Sequence, residues 1–307
     1  MMNNCYKRCT LCPRECGADR YISTGFCGER AVTRIARAEL HFWEEPCLSL
    51  KGGSGAVFFS GCDLRCGFCQ NYPISSGHKG FELTERQLAD TFLRLQDMGA
   101  ENIDLVTPTH FVPGIIEALD LVKDKLTVPV IYNCGGYEKP ETIELLRGYV
   151  DIFLPDLKYY SSELSLKLSK AKDYFDYSSS SLKKMLEIAG KPVYDGDGRL
   201  KRGVIVRHLV LPGQRKDSLE LVRWLRETFS PDEILVSLMS QFTPVYKANE
   251  LGLNRRVTTF EYNSVLKAVE EAGFDGFFQE RSAASDEYIP EFYDHLYYDL
   301  PNTQNQT

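Results

Sequence analysis

The chain has 307 residues, an apolar fraction of 43% and a formal net charge of −7, a balance that is ordinary for a globular protein. The negative charge argues against general affinity for nucleic acid or anionic lipid. No apolar run approaches the ~20 residues that span a bilayer, and residues 1–5 lack the apolar core of a signal peptide. We therefore expect a cytoplasmic protein that binds neither membranes nor nucleic acid.

The first 50 residues are rich in cysteine and are expected to form a small cap. Of the ten cysteines in the chain, Cys9, Cys12, Cys16 and Cys27 follow one another in a stretch with little predicted secondary structure. In a reducing compartment, clustered cysteines favour metal binding over disulfides. These four could close a tetrahedral zinc site or hold a second iron–sulfur cluster, and their spacing does not separate the two. The alternative is a set of reduced thiols that pack a loop-rich cap.

A dense mix of aromatic and ionisable residues at 41–47 connects this cap to the rest of the chain. Cys47 or Glu44 could lie beside an active site, but we favour packing between the cap and the main domain. The glycine-rich residues 51–55 predict a flexible entry to the first strand and contain no phosphate-binding pattern of the Walker type.

A loop with three cysteines follows the first predicted strand, the apolar run at 56–60. Cys62, Cys66 and Cys69 have the spacing C-x3-C-x2-C, and thiolates are soft ligands that suit iron–sulfur clusters. Three thiolates can hold three irons of a [4Fe–4S] cube, which leaves the fourth iron open to a substrate or cofactor. The alternatives are three unrelated buried thiols or a zinc site, although zinc usually takes four ligands in paired C-x2-C knuckles.

From residue 56 onward, predicted strands alternate with predicted helices. Strands are expected at 56–60, 102–106, 128–132, 151–155, 203–210 and 233–238, with a short last strand at 277–278. Helices are expected at 84–98, 113–125, 140–148, 161–189, 218–229 and 259–272. Residues 178–181 predict a break or new cap within the fourth of these helices, residues 193–202 a polar loop, and the tail after residue 300 a frayed end. Six strand–helix units indicate an α/β fold with a parallel sheet, consistent with a partial (β/α)6 barrel over residues 51–307.

Chemistry in parallel barrels lies at the carboxyl ends of the strands, so the residues there are candidates. Asp156 and Lys158 follow the fourth strand, and alternation places both on one face. Arg207 and His208 on the fifth strand point to opposite faces, so only one of them can face the interior. After the second strand, His110 could donate a proton, although a lone histidine is more often a packing residue. Residues 241–246, after the sixth strand, are expected to form a lid or substrate loop.

The cysteine loop, Gly-Cys-Asp-Leu-Arg-Cys-Gly-Phe-Cys at 61–69, resembles the signature of the radical S-adenosylmethionine (SAM) enzymes. The resemblance implies a partial barrel in which SAM chelates the open iron through its amino and carboxylate groups. One electron then cleaves the sulfonium, and the 5′-deoxyadenosyl radical abstracts hydrogen from a substrate. The resemblance covers roughly residues 55–241. With Leu-Cys-Pro-Arg at 11–14 and Trp-Glu-Glu-Pro-Cys at 43–47, it is closest to the glycyl-radical-enzyme activases, in particular the subgroup described as pyruvate formate-lyase activating enzymes.

The same resemblance implies roles for individual residues. Asp156 and Lys158 match the Asp-x-Lys motif of the activases and are expected to grip the zwitterionic SAM. The Gly-Gly-Glu-Pro motif that receives the SAM amino group in many members is absent after the second strand, so Thr107 is the substitute. Further SAM contacts are expected from Phe68, Gln70, Asn133 and His208. A monovalent cation is expected at Asn133, Cys134, Leu154 and Asp156.

Partners and substrates remain open at this level. The resemblance implies an electron donor such as flavodoxin or ferredoxin, and a glycyl radical enzyme whose glycine Cα–H is the substrate. A small molecule or a ribosomal peptide is the alternative substrate. From another class, a metal- or redox-sensing binding protein without turnover would use the same thiols.

Overall fold

The computed structural model describes residues 5–278, and the tail predicted after residue 300 lies outside the described residues. Residues 5–278 contain ten strands: β1 (Thr33–His41), β2 (Ser54–Phe59), β3 (Phe81–Leu83), β4 (Ile103–Val106), β5 (Val130–Cys134), β6 (Ile152–Pro155), β7 (Val193–Tyr194), β8 (Leu200–Leu209), β9 (Leu235–Met239) and β10 (Gly276–Phe278). The helices are α1 (Tyr72–Ser75), α2 (Glu85–Asp97), α3 (Val112–Asp120), α4 (Pro140–Glu144), α5 (Ser162–Ser169), α6 (Tyr174–Ala189), α7 (Arg215–Thr228) and α8 (Thr259–Ala272).

Six strands form the parallel core of the sheet. β2, β4, β5, β6, β8 and β9 are neighbours in that order, and every pairing between them is parallel. Buried apolar side chains such as Val57, Leu105 and Phe153 pack beneath the helices. The predicted partial (β/α)6 barrel is therefore confirmed, and β10 adds one more parallel strand beside β9.

Two strands at the other edge were not predicted. β1 pairs antiparallel with β2, and β3 pairs antiparallel with β1. A register shift between Ile35 and Arg37 interrupts the pairing, so the buried positions of β1 do not alternate regularly along the sequence. β1 comes from the region expected to be the cap, although the domain boundary at residue 50 itself stays a prediction.

Residues 45–48 fill the end of the barrel where the strands begin. The N–H of Leu200 donates to the carbonyl of Cys47 at 2.9 Å, and Asn102 Nδ2 donates to the carbonyl of Leu48 at 2.8 Å. Cys47 and Leu48 pack against apolar side chains of the barrel interior, among them Ile131. The packing interpretation of this segment is thus correct for Cys47. We call residues 45–48 the plug.

The helical region at 161–189 divides at another place than expected. α5 ends at Ser169, where the capping residue Lys170 has a left-handed φ of 54°, and α6 runs through residues 178–181 without a break. There the hydroxyls of Ser178 and Ser181 donate to carbonyls three residues earlier, at 3.3 and 3.2 Å, which lets serine remain inside a helix. The predicted loop at 193–202 also differs, because β7 pairs with the first residues of β8.

The cysteine-rich residues before β1, which we call the leader, pack on the barrel. Arg14 Nε donates to the carbonyl of Asp63 at 2.8 Å, and its Nη2 donates to the carbonyl of Ser169 at 3.0 Å. One leader side chain therefore holds the cysteine loop and α5 together. Among the described residues, no helix has the length and apolar character needed to cross a membrane.

Candidate functional site

A cavity of about 260 Å³ lies at the carboxyl ends of the parallel strands. The cysteine loop contributes Cys66 and Cys69 to its wall, and strand ends contribute Asn133, Asp156 and Lys158. The cavity therefore collects side chains from the loop after β2 and from the ends of β5 and β6, as expected for a parallel barrel.

Local geometry holds the three thiols of the loop. Gly61 begins the loop with a φ of 80°, and a Cβ there would lie 2.8 Å from the carbonyl oxygen of Cys27, so only glycine fits. Each sulfur accepts a hydrogen bond. The donors are the N–H of Leu64 to Cys62 at 3.4 Å, the Ser169 hydroxyl to Cys66 at 2.9 Å, and the Ser75 hydroxyl to Cys69 at 3.4 Å.

Burial opposes the ionised form of these thiols. Burial raises the pKa of Cys69 to about 11, and it also raises the pKa values of Cys62 and Cys66. Metal ligation removes that penalty, because a coordinating thiol is deprotonated outright. No three His, Cys, Asp or Glu side chains in the described part of the chain are placed to hold a single metal ion. Three thiols on one loop, of which Cys66 is buried and Cys62 and Cys69 are half-buried, each with a donor on its sulfur, fit the three-thiolate ligation of a [4Fe–4S] cluster.

Asp156 is the centre of a buried ion-pair network. Its carboxylate accepts from Lys158 Nζ and lies 3.2 Å from Arg207 Nε, and Arg207 Nη2 donates to Asn133 Oδ1 at 2.5 Å. Burial acts to raise the pKa of Asp156, but the charges of Lys158 and Arg207 outweigh it and hold the pKa below its usual value. An ionised acid beside an ammonium at the cavity wall can pair with both charged groups of an α-amino acid.

The predicted SAM contacts divide into two groups. Phe68, Gln70, Asn133, Asp156 and Lys158 all line the cavity, whereas Thr107 and His208 do not. Their roles toward a cofactor stay predictions.

His208 faces away from the cavity. It is buried on the helix side of β8, where its Nδ1 donates to the carbonyl of Leu157 at 2.6 Å and its Nε2 accepts from the Ser218 hydroxyl at 2.9 Å. The strand alternation could not choose between neighbours, and Arg207 is the one that lines the cavity. Thr107 has a left-handed φ of 60°, and its N–H donates to the carbonyl of Asn133 at 2.8 Å.

The sequence analysis did not favour the placement of His41 and Glu44 in the wall of the cavity. His41 and Glu44, from the segment after β1, line it together with Gln241, Phe242 and Thr243 of the loop after β9. The loop after β9 was expected to be a lid or substrate loop. For Glu44, a position beside the active site was the less favoured of two interpretations, the other being packing between the cap and the main domain. The signal for Glu44 was the density of ionisable residues at 41–47.

The two remaining predicted metal sites gain no new support. Cys9, Cys12 and Cys27 are buried in the leader, whereas Cys16 is exposed, and zinc or a second cluster there stays a prediction. The monovalent cation also stays a prediction. The Asp156 carboxylate is paired with the side chains of Lys158 and Arg207.

His110 is buried away from the cavity and supports the cysteine loop. Its Nε2 lies 2.6 Å from the carbonyl of Ser60, so this nitrogen carries the proton. Burial lowers the pKa of His110 to about 3. The ring is therefore neutral and holds the backbone just before Gly61, which is a structural role.

Replacing Gly136 with alanine is expected to damage the site. Gly136 has a φ of 79°, and an added Cβ would lie 2.0 Å from the carbonyl oxygen of Asp156. Gly148 is a matched control, since its φ is 83° and nothing lies within 4 Å of its added Cβ. Gly148→Ala should cost about 1–2 kcal/mol in the free energy of unfolding, and Gly136→Ala clearly more. Equal losses in urea titrations of the two variants would contradict the described contact.

Glu45 of the plug is expected to make stability depend on pH. Burial raises its pKa from 4.5 to about 7, so the folded state keeps a proton that the unfolded chain releases. The free energy of unfolding should then fall as the pH rises from about 4.5 to about 7, by up to roughly 3 kcal/mol. Urea titrations at both ends of this window should show a smaller fall in Glu45→Gln, and an equal fall in both proteins would refute the assignment.

Comparisons with known proteins agree with this geometry. The family model described as the radical SAM superfamily matches residues 56–225. An uncharacterised protein of Methanocaldococcus jannaschii is 30% identical over 285 residues, which covers 89% of this chain and 77% of that protein. The pyruvate formate-lyase-activating enzyme of Listeria monocytogenes is 26% identical over 213 residues, covering 64% of this chain and 79% of that enzyme.

Among solved structures, a radical SAM methyltransferase from Sphaerobacter thermophilus is 15% identical, with a TM-score of 0.49. The match covers 74% of this chain and 66% of that one. A similarity this distant says nothing about substrate.

Proposed function

Because this chain belongs to the radical SAM superfamily, we propose that Cys62, Cys66 and Cys69 hold a [4Fe–4S] cluster that serves the reductive cleavage of SAM. When bound, the cluster would supply the one electron that cleaves the sulfonium to methionine and a 5′-deoxyadenosyl radical, and that radical would abstract hydrogen from a substrate. An electron donor such as flavodoxin or ferredoxin would reduce it. The observation that carries the proposal is the shared cavity of Cys66, Asp156 and Lys158.

The chain's own residues would bind and orient SAM. Lys158 can pair with the SAM carboxylate, and Asp156 with its amino group, because the two lie side by side at the end of β6. Arg207 Nε donates to Asp156 from the other side at 3.2 Å, and Asn133 Oδ1 in turn accepts from Arg207 Nη2 at 2.5 Å. Phe68 packs against Phe242 with ring centroids 6.0 Å apart, which places an apolar surface beside the cysteines.

Water exclusion is the second task of the protein. The plug closes the end of the barrel where the strands begin, with Cys47 and Leu48 buried. At the other end, the loop after β9 crosses the cavity wall with Gln241 and Thr243. A reactive radical needs a site that excludes solvent, and no protein base is required for hydrogen abstraction.

The direct test is anaerobic reconstitution with iron and sulfide, followed by dithionite and SAM. We expect 5′-deoxyadenosine at a slow rate from the protein alone and faster with substrate. That result would also dispose of the alternative of a binding protein without turnover. An intact cluster that yields no 5′-deoxyadenosine, alone or with fractionated cell extract, would refute the proposal.

A second candidate is activation of a glycyl radical enzyme. It is favoured by the 26% identity to the activating enzyme of Listeria monocytogenes. The test is to incubate the reduced holoenzyme and SAM with purified pyruvate formate-lyase. A glycyl radical signal in electron paramagnetic resonance (EPR) would support this candidate, whereas SAM cleavage without that signal would count against it.

A further inference from the structure

A chain of two buried hydroxyl groups ends on the sulfur of Cys66. The hydroxyl oxygens of Tyr159 and Ser169 are 2.6 Å apart, and Ser169 Oγ donates to Cys66 Sγ at 2.9 Å. Both Tyr159 and Ser169 are 0% exposed. They come from the segment after β6 and from the end of α5, so they reach the cysteine loop from outside it. We call Tyr159 and Ser169 the hydroxyl pair.

The direction of both hydrogen bonds is fixed once Cys66 ligates a metal. A ligating thiol has lost its proton and can only accept, so the Ser169 hydroxyl gives its one hydrogen to the sulfur. The Ser169 oxygen is then the acceptor for the single hydrogen of Tyr159. Hydrogen bonds in such a chain polarise one another. The Tyr159 hydroxyl therefore strengthens the bond that Ser169 makes to the sulfur.

Ser169 reaches out of its own helix to the cysteine loop. Ser165, one turn earlier on α5, donates to the carbonyl of Ser162 at 3.1 Å, which is a common arrangement for a serine inside a helix. The Ser169 hydroxyl instead donates across to the loop. The N–H of Gly67 donates to the carbonyl of Leu168 at 2.9 Å, so a backbone contact sets the separation of the same two segments.

Packing fixes the ring of Tyr159. Its centroid lies 5.2 Å from that of Tyr174, with the ring planes at 74°. The backbone N–H of Lys158 donates to the Tyr174 hydroxyl at 3.0 Å, which anchors the chain directly before Tyr159. The Tyr159 hydroxyl is thus held in one orientation toward Ser169.

Cys66 has a closer donor than the other two thiols of the loop. The N–H of Leu64 reaches Cys62 at 3.4 Å, and the Ser75 hydroxyl reaches Cys69 at 3.4 Å. A donor on a ligating sulfur stabilises the reduced, more negative state of an iron–sulfur cluster, so hydrogen bonds to the sulfurs help to set the reduction potential. The hydroxyl pair is therefore placed to act on the electron affinity of a cluster, through Cys66.

We propose that the Ser169 hydroxyl, held by Tyr159, raises the reduction potential of the cluster bound at Cys66 and so makes the cluster easier for an electron donor to reduce. Ser169 acts on the ligating sulfur directly, and Tyr159 is a positioning residue that acts through Ser169. The inference rests on the proposed function, because it presupposes a cluster at the cysteine loop. A pair that only held the loop in place would leave the potential unchanged.

The test is a redox titration of the anaerobically reconstituted holoenzyme without SAM, in which EPR measures the reduced cluster. At a fixed solution potential, Ser169→Ala should lower the ratio of reduced to oxidised cluster at least tenfold, a midpoint shift of about 59 mV or more. Tyr159→Phe should shift the midpoint in the same direction but by less, because Ser169 keeps its hydrogen bond to the sulfur. The double variant should match Ser169→Ala alone, since Tyr159 acts only through Ser169.

Two control variants remove a buried hydroxyl that does not contact the sulfur. Ser165→Ala changes the same helix at a side chain that is 1% exposed. Tyr132→Phe removes a buried phenol that donates to Glu138 Oε2 at 3.1 Å. Both controls should keep the wild-type midpoint. All variants should keep the wild-type iron content, because the three cysteines of the loop remain. If Ser169→Ala does not fold, the shift in Tyr159→Phe decides.

Four outcomes would overturn the inference. They are an unchanged midpoint in Ser169→Ala, an equal shift in Ser165→Ala, a double variant whose shift is the sum of the two single shifts, and iron loss in a folded Ser169→Ala. Cleavage of SAM by the wild type without the expected shift in the variants sinks this inference alone. The expected shift in a protein that cleaves no SAM sinks the proposed function alone. A wild-type protein that takes up no cluster contradicts both.

Discussion

Replacing Cys66 with alanine should abolish iron binding at the cysteine loop and with it the formation of 5′-deoxyadenosine. Cys66 lines the cavity, and its sulfur accepts the Ser169 hydroxyl at 2.9 Å. Two thiolates cannot hold the cube in place of three, so the loss should be complete rather than partial. Iron content, visible absorption and product formation after anaerobic reconstitution measure the effect.

The matched control for this experiment is Cys47→Ala. Cys47 is equally buried, but it packs in the plug against the barrel interior. Its replacement should retain iron and only lower stability. Full iron content in Cys66→Ala would show that the cysteine loop is not the cluster site. Equal iron loss in Cys47→Ala would mean that the assay reports folding rather than ligation.

Replacing Asp156 with asparagine should weaken SAM binding at least ~100-fold, which corresponds to about 2.7 kcal/mol. The carboxylate is the shared partner of Lys158 and Arg207. Its loss leaves two buried cations facing each other without compensation, and breaking such a pair typically costs about 3–5 kcal/mol in the free energy of unfolding. Both the affinity and the stability should therefore fall.

Equilibrium dialysis with labelled SAM and urea titrations provide the two readouts. Asp232→Asn is the control, since Asp232 pairs with Lys191 on the surface, where both side chains are more than half exposed. An exposed pair contributes little, so this variant should resemble the wild type in both assays. Unchanged SAM affinity in Asp156→Asn would remove Asp156 from the SAM site.

Sequence reasoning predicted the parallel core because its strands are continuous apolar runs. The run at 56–60 became β2, with all its residues buried, and the pattern of strand then helix repeated six times. The resemblance to radical SAM enzymes, which rests on the spacing of Cys62, Cys66 and Cys69, is confirmed by the family match over residues 56–225.

The edge strands were missed for local reasons. β1 contains charged residues such as Arg37 and Glu39, which form an ion pair with each other, and a register shift interrupts its pairing. A pattern search for regular alternation therefore reads it as a connecting segment. The serines at 178–181 suggested a break, but serine hydroxyls can also bond within the helix, and the sequence does not say which option is taken.

The sequence predicted which residues follow each strand, but it did not predict how residues from different strands meet in the cavity. Asp156 and Lys158 follow a predicted strand directly, so alternation placed them together. Glu44 and Asp104 are 60 positions apart, and their approach to Arg207 depends on how the segment after β1 enters the barrel. For Arg207 and His208, alternation showed that one must face inward, but the choice depends on the register of β8.

The most direct test of a three-cysteine cluster that meets SAM is EPR of the reduced holoenzyme, with and without SAM. We expect the signal of a reduced [4Fe–4S] cluster whose shape changes when SAM is added, and electron–nuclear double resonance couplings from ¹⁵N and ¹⁷O placed in the SAM amino and carboxylate groups. A spectrum that ignores SAM, or a protein in which these three sulfurs bind zinc and no iron, would contradict the account.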